Sequence, residues 1–283
     1  MPVKSALYVV ATPIGNLNDI SLRALEILAH VDVIAAEHIQ NSKHLLSHHS
    51  ISTCGTKLVA LHQHNEITAA NKIVDFLTAG KSVAFITDAG TPAISDPGAI
   101  LVQHVRGHGF AVIPVPGANA AICALSAAGI TEPHFLFYGF LPAKSGLRRR
   151  ELKIVASLPY PIIFFEAPHR IHESLGDMAA TLGMQRQLTI ARELTKLFET
   201  IHVCTLGEAI PWMEADTHQQ KGEFVLLVSG AAIQDKSEIS EQAQNTLKIL
   251  LHELPLKQAV KLTAEISGES KKVLYQLALS MKE

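Results

Sequence analysis

Residues 82–98 read SVAFITDAGTPAISDPG. Residues 82–87 are a short apolar run of strand length. The run enters a loop holding two aspartates, two glycines and two prolines, a density that a simple turn does not need. Asp96-Pro97-Gly98 then opens a helix, with Asp96 expected to cap the free N–H groups and Pro97 to take the first helical position. Strand, loop and helix in this order form the unit of a parallel sheet covered on both faces. In such sheets ligands bind beyond the carboxyl ends of the strands, so the loop itself is a candidate site.

The same unit repeats on either side. Strands are predicted over 7–11, 31–35, 58–61 and 111–115, with helices over 21–30, 41–48 and 67–77, the last closed by Gly80. The pattern restarts after Pro114-Val115-Pro116-Gly117. Helices over 119–128, 147–157 and 171–182 accompany strands over 135–140, 162–166, 188–192, 198–205 and 223–229. Consecutive strands with few intervening helices point to a mixed sheet. Residues 231–240 are polar and linker-like, and three amphipathic helices follow over 241–253, 256–266 and 271–282. Ser267-Gly268 between the last two gives a helix-turn-helix pattern, which suits either a packing and dimerisation tail or nucleic-acid contact. The expected fold is therefore α/β: an N-terminal α/β domain (1–116), a second α/β domain (117–230), and a linker with a helical tail (231–283).

Composition limits the functions. The 283 residues carry 24 Lys plus Arg against 26 Asp plus Glu, a formal charge of −2, with 48% hydrophobic and 18% charged residues. That excludes a disordered chain and a broadly polybasic surface, so any nucleic acid must be met by a local patch. Apolar stretches such as 224–228 fall far short of the ~20 residues a membrane span requires. The apolar run 6–11 after Lys4 is too short for a signal core. Cys54, Cys123 and Cys204 are odd in number and lack C-x-x-C spacing, which argues against disulfides and zinc. The expectation is a cytoplasmic protein without a membrane partner. Fifteen histidines include the pairs His44/His48 and His62/His64, but neither pair is completed into a ligand set, so no metal is expected.

Beyond 87–98, other strand exits carry candidate chemistry. Thr12-Pro13-Ile14-Gly15-Asn16-Leu17-Asn18-Asp19 follows the first strand and matches neither a dinucleotide fingerprint nor a Walker loop. Pro116-Gly117-Ala118-Asn119-Ala120-Ala121 offers small residues at a helix start. Phe164–Arg170 and Ala191–Lys196 put charged groups at two later exits, where burial and pairing can tune them. Lys144, Arg148, Arg149, Arg150 and Lys153 form the clearest basic cluster, readable as a solvated helix face or a phosphate-binding patch.

Seven motifs in order carry a family resemblance: Thr12-Pro13-Ile14-Gly15-Asn16-Leu17, the 88–98 loop, Pro116–Ala121, Phe137-Tyr138-Gly139-Phe140-Leu141-Pro142, Phe165–Ile171, Ala191–Lys196 and Gly222-Glu223-Phe224-Val225. Together they resemble the RsmI-type ribosomal RNA ribose 2′-O-methyltransferases of the tetrapyrrole methylase (class III) superfamily. The resemblance implies two α/β domains with S-adenosylmethionine in the cleft between them, a homodimer, and methylation of decoding-centre cytidine-1402 of 16S rRNA in the small ribosomal subunit. By motif position, Ile14 and Gly15, Asp88, Gly90, Thr91 and Ile94, Asn119 and Ala120, and Phe165 and Glu166 would hold the cofactor. Methyl transfer to a hydroxyl calls for in-line positioning and a proton acceptor. Glu37, Arg192, Glu193 and Lys196 are the candidate catalytic group, with Glu66 and His64 also considered as bases. Lys144, Arg148, Arg149, Arg150, Lys153 and Arg170 would meet RNA. Two departures stand out. The family's Ala-Glu-Asp-Thr-Arg is here Ala36-Glu37-His38-Ile39-Gln40, and its Arg-Gly is Val203-Cys204. Two other readings remain open: a corrinoid or other tetrapyrrole methylase, and a non-catalytic paralogue that binds the donor or the ribosome.

Overall fold

A computed structural model describes residues 4–232 and 239–281, in two compact units, Met1–Ala231 and Ala232–Glu283. The larger unit contains two five-stranded sheets.

In the first sheet, β1 (Leu7–Val10), β2 (Val33–Ala36), β3 (Lys57–Ala60), β4 (Val83–Ile86) and β5 (Val112–Val115) lie in the order β3-β2-β4-β1-β5, all parallel. β2 and β4 are buried at every residue, as continuous apolar strands in a two-sided sheet must be. Alternation divides them between two cores. Val10, Ile34, Ala36, Ala84 and Ile86 pack against α1 (Leu22–His30) and α2 (Ile39–His48). Leu7, Val33, Ala35, Val83 and Phe85 pack against α3 (Glu66–Thr78) and α4 (Ala99–Gly107). The chain runs outward from β1 through β2 to β3, returns to β4, and then crosses to β5, so β1 and β4 flank the switch point where a crevice opens.

The second sheet has the order β6-β7-β10-β8-β9, from β6 (Leu136–Phe140), β7 (Ile162–Glu166), β8 (Gln187–Arg192), β9 (Thr200–Thr205) and β10 (Phe224–Val228). Only β6 and β7 pair in parallel, which makes the sheet mixed as its consecutive strands suggest. One face carries α6 (Ser145–Val155), α7 (Ile171–Leu182) and α8 (Leu206–Ala215). The other receives α5 (Ala120–Ala127), whose Ala121 and Ala124 contact Ile163, Ala191, Val225 and Leu227. The helix that follows β5 thus belongs to the second sheet.

Sequence reading misses α8. Pro211 inside the helix argues against it, but the Thr205/Glu208 capping box that starts it is a legible signal. A second correction concerns α4. Asp96 does not cap it and Pro97 precedes it. Gly98 is the N-cap residue, and the buried Glu66 carboxylate reaches from α3 to accept Gly98 N–H (2.9 Å) and Leu101 N–H (3.0 Å). Glu66 is therefore engaged as a cap between helices and is not a free base.

The smaller unit holds α9 (Glu241–Glu253), α10 (Leu256–Ser267) and α11 (Lys271–Ser280) around Leu247, Ala259, Val260 and Leu274. Gly268, left-handed at φ +72°, ends α10 and makes the tight turn. Residues 233–238 of the expected linker and Lys282 of the expected last helix lie outside the described residues. Among the described residues no helix is long and apolar enough to cross a membrane.

Candidate functional site

The loops leaving β1 and β4 are stitched together. Thr12 N–H donates to Gly90 O at 2.9 Å, Gly90 N–H returns to Thr12 O at 3.0 Å, and Thr12 Oγ1 donates to Thr87 O at 3.0 Å. The loop after β5 joins them, because Thr91 Oγ1 donates to Ala118 O at 3.0 Å. From the second sheet, the loop after β8 locks onto the β1 loop, with Asn16 N–H donating to Thr195 Oγ1 at 3.1 Å. A Cβ on Gly15 would come within 2.6 Å of Lys196 Cγ and 3.0 Å of Leu194 O, so the absence of a side chain is what permits the approach.

These loops enclose a cavity of about 280 Å³. It is lined by Ile14, Gly90, Thr91, Ile94, Asn119, Ala120, Phe165 and Glu166 from the sequence-predicted cofactor set. Gly15 stands behind it, packed on the 194–196 loop. Asp88 is turned away into a separate hollow with Asn41 and His44. There Asp88 Oδ2 accepts from Asn41 Nδ2 at 2.8 Å and lies 2.7 Å from His38 Nδ1, and Asp88 N–H donates to Glu37 Oε2 at 3.2 Å. Glu37, His38 and Asp88 bring one ligand atom each within 4.8 Å of one another, but these donors already bind each other.

Sequence reasoning leaves out Ser95, Asp96, Phe140, Leu194, Glu223 and Val225, which also line the cavity. Glu223 and Val225 lie in the Gly222–Val225 motif, and Asp96 reads as a helix cap. Side-chain direction was the missing information.

Among the described residues, four of the five non-glycine residues with positive φ belong to this region: Ala93 (69°), Ser95 (61°), Glu193 (52°) and Thr195 (65°). Such conformations are costly and concentrate at ligand clamps. Ser95 also meets β6 at Gly139, whose added Cβ would lie 2.9 Å from Ser95 Oγ.

The ionisable groups that line the cavity are carboxylates, two of them paired with cations from outside it. Among the described residues the cavity lining includes Asp96, Glu166 and Glu223 and no Lys, Arg or His. Burial, reinforced by the neighbouring Glu37 and Asp88 carboxylates, pushes the Asp96 carboxyl up to about 7. Glu166 is spoken for: it accepts from Ala167 N–H and Ser174 Oγ and pairs with Arg170 Nε at 3.2 Å. At the cavity edge, Lys196 Nζ donates to Glu193 Oε1 (2.9 Å) and Glu223 Oε2 (2.7 Å), and Glu193 Oε1 also accepts from Glu223 N–H. Burial opposes the Lys196 charge, yet the bonds from both glutamates outweigh it and raise the ammonium above its usual range. The same contact with Lys196 lowers Glu193 against burial. Lys196 is thus held charged and is not a proton acceptor.

Arg192 points elsewhere. Its buried guanidinium donates to the carbonyls of Lys221, Phe198 and His218 at 2.6, 3.1 and 2.7 Å. It ties the loop after β8 to the segment before β10 and makes no pair with Glu193.

The predicted RNA patch needs a larger correction. Arg148 is fully buried, with Nε 2.7 Å from Asp177 Oδ2. Arg149 Nε binds the other Asp177 oxygen, and Arg170 donates to Leu141 O as well as pairing with Glu166. Lys144, Arg150 and Lys153 remain exposed. The basic helix buries Arg148 and ties down the exposed Arg149, because Asp177 on α7 faces α6 and a buried carboxylate must be paired.

Two sheets that close over a cleft at their strand exits are an architecture this chain shares with solved methyltransferases. Solved structures with this fold include the methyltransferase CobJ (19% identity, TM-score 0.60, 80% of this chain and 95% of that one) and cobalt precorrin-4 methyltransferase, CbiF (19%, 0.59, 82% and 97%). The family described as Tetrapyrrole (Corrin/Porphyrin) Methylases matches residues 6–210, and the RsmI C-terminal HTH domain matches residues 237–282. The chain is 50% identical over 280 residues to Ribosomal RNA small subunit methyltransferase I of Neisseria meningitidis serogroup B, covering 99% of this chain and 95% of that one. Its counterpart in Vibrio cholerae serotype O1 is 50% identical over 273 residues (96% and 94%). The chain belongs to the tetrapyrrole methylase family, in its RsmI branch.

Proposed function

We propose that the protein transfers a methyl group from S-adenosylmethionine to the ribose 2′-oxygen of the decoding-centre cytidine in 16S rRNA of the small ribosomal subunit. The observation that carries this reading is the cleft lining: apolar walls, carboxylates, and no basic side chain among its residues. That chemistry suits a cationic donor with an apolar body and disfavours a phosphate-bearing cofactor. The relatives' shared name supports the RNA target.

When bound, the donor supplies an electrophilic methyl group on sulfonium. Ile14, Ile94, Phe140, Phe165 and Val225 exclude water and fix the apolar body. The Asn119 Oδ1 already caps α5 by accepting from Ala121 and Ile122 N–H, so its amide N–H groups are what it offers a ligand. Asp96 is the cleft carboxylate matched to taking the ribose proton, since its pKa of about 7 lies near working pH. Glu37 supports it by raising that pKa. Lys196, oriented by Glu193 and Glu223, supplies a fixed positive charge for the nucleotide phosphate at the cleft edge. Arg192 and Arg170 position the loops that carry these groups.

The division into 1–116, 117–230 and 231–283 follows the same logic, with the cleft formed where the first two stretches meet. A second copy is expected on the edge strand β9. There Ile201 and Val203, with the preceding Leu197 and Phe198 (89% and 66% exposed), offer apolar surface. The place of action is the cytoplasm, where small subunits are assembled.

Calorimetry with S-adenosylmethionine tests the cofactor. Transfer of labelled methyl groups to small subunits purified from a strain lacking this enzyme tests the target. Incorporation at the ribose of one cytidine is expected. Transfer to precorrins in place of subunits overturns the reading in favour of a corrinoid methylase, and no transfer to either favours a non-catalytic paralogue.

A further inference from the structure

The smaller unit carries its own basic surface. Lys257 and Lys261 of α10 and Lys271 and Lys272 of α11 line one open groove of about 490 Å³, together with Tyr275 and Gln276. All four lysines are exposed, and among the described residues none stands in an ion pair. The clustering does not reflect a generally basic unit. Residues 239–281 hold Lys248 and these four lysines against Glu241, Glu253, Glu265 and Glu269, so the sequence is nearly balanced and the cations are segregated.

Their placement works against the helices themselves. Lys271 and Lys272 are the first two residues of α11, and Lys257 is the second of α10. Cations at a helix N-terminus oppose the macrodipole. Neither N-terminus has a side-chain cap to satisfy its free N–H groups. Lys257 and Lys261 are also like charges four residues apart on one face. Three local rules are broken in a single groove while the opposite faces, through Ala259, Thr263, Leu274 and Ala278, pack normally into the core. Such concentrated conflict marks a functional surface. An anion along the groove offsets the conflict by meeting the four ammonium groups that line it. Tyr275, partly exposed beside them, presents a ring on which an unpaired base can stack.

We propose that this groove is an electrostatic contact of the protein with RNA, holding a stretch of phosphodiester backbone, in addition to the cations that α6 leaves exposed. The proposal rests on the reading of the chain as an RNA methyltransferase and adds where the RNA is gripped.

The test uses the full-length chain, comparing the wild type with a variant carrying K257Q, K261Q, K271Q and K272Q and a second carrying arginine at the same four positions. Affinity for small subunits lacking the methyl group, and for naked 16S rRNA, is measured across a salt series. The glutamine variant should bind both at least about tenfold more weakly, with a log affinity against log salt slope shallower by roughly 3, as expected when four phosphate contacts are lost. The arginine variant should bind like the wild type, both variants should keep donor affinity, and the glutamine variant should melt no lower than the wild type, since it relieves the charge conflict at the helix starts. Equal affinity and slope for wild type and glutamine variant overturn the groove while leaving the function intact. Weakened subunit binding with unchanged binding to naked rRNA places an acidic ribosomal protein in the groove and also overturns it. A wild type that neither binds nor methylates subunits overturns the functional reading, and the groove with it.

Discussion

Arg148 Nε stands 2.7 Å from Asp177 Oδ2, with the arginine sealed from solvent and the carboxylate nearly so. Ser145 Oγ and Arg149 Nε bind the second carboxylate oxygen. Burial alone would raise the Asp177 pKa, but these donors outweigh it and hold the carboxyl below its ordinary range. The pair fastens α6 to α7. Removing Asp177 as alanine strands a buried guanidinium, a loss of about 3–5 kcal/mol, or a melting temperature roughly 10 °C lower for a unit of this size. Arg148→Met should cost less, since Arg149 and Ser145 still serve the carboxylate. Because the carboxyl is depressed in the folded state, this stability is present at neutral pH and is lost as pH falls below the ordinary carboxylate range. Thermal melts of both variants at pH 7 and pH 3 check the sign.

Asp96 should show the opposite behaviour. Its folded-state pKa of about 7 lies above its unfolded value, so folding stability falls as pH rises between the ordinary carboxyl range and about 7. Asp96→Asn should therefore melt a few degrees higher than wild type at pH 8 and show no gain at pH 3.5. Methyl transfer should respond differently, because the rising limb near pH 7 in kcat/KM reports Asp96 and should vanish in the variant along with most of the rate. A variant that retains the limb would assign the proton acceptor elsewhere.

Lys196 separates charge from proton transfer. Its ammonium is raised by Glu193 and Glu223, so it contributes no titration near neutrality. Lys196→Ala should leave donor affinity within a factor of two, lower kcat or raise KM for subunits about 10- to 100-fold, and leave the apparent pKa of the rate unchanged. Restoration by Lys196→Arg is expected to be partial, since two glutamates hold a compact ammonium.

Glu66→Ala removes the carboxylate that receives Gly98 and Leu101 N–H. The loss of a buried cap should cost about 1–3 kcal/mol. Because Gly98 adjoins the cleft loop, donor binding by calorimetry should weaken as well, whereas Asp177→Ala should leave the affinity of the folded fraction unchanged.

Gly15 has no positive φ to favour glycine, so its requirement is steric. Gly15→Val should push Lys196 and the 194–196 loop away from the β1 loop. Slower transfer with little change in melting temperature is the expected result, measured in the same subunit assay.

Period and punctuation made most of the fold legible. Buried runs such as 83–86 can only be strands covered on both faces, and Ser21, Asn119, Gly183 and Gly268 mark helix ends through backbone chemistry that is local to them. The strand exits, and with them most of the cleft lining, followed because strand direction fixes where loops emerge. What lay out of reach was every feature set by a partner distant in sequence. Asp96 reads as a cap until Glu66, 32 residues away from Gly98, takes that role. Arg148 reads as a phosphate ligand until Asp177 buries it, and Arg192 reads as a catalytic candidate until the carbonyls of Lys221, Phe198 and His218 claim it. The sequence determined which elements form and which loops lead into the cleft, because those depend on neighbours along the chain. Only the tertiary structure decided which charged side chains stay free to act, because a charge is spent on whichever opposite group the fold brings within about 3 Å of it.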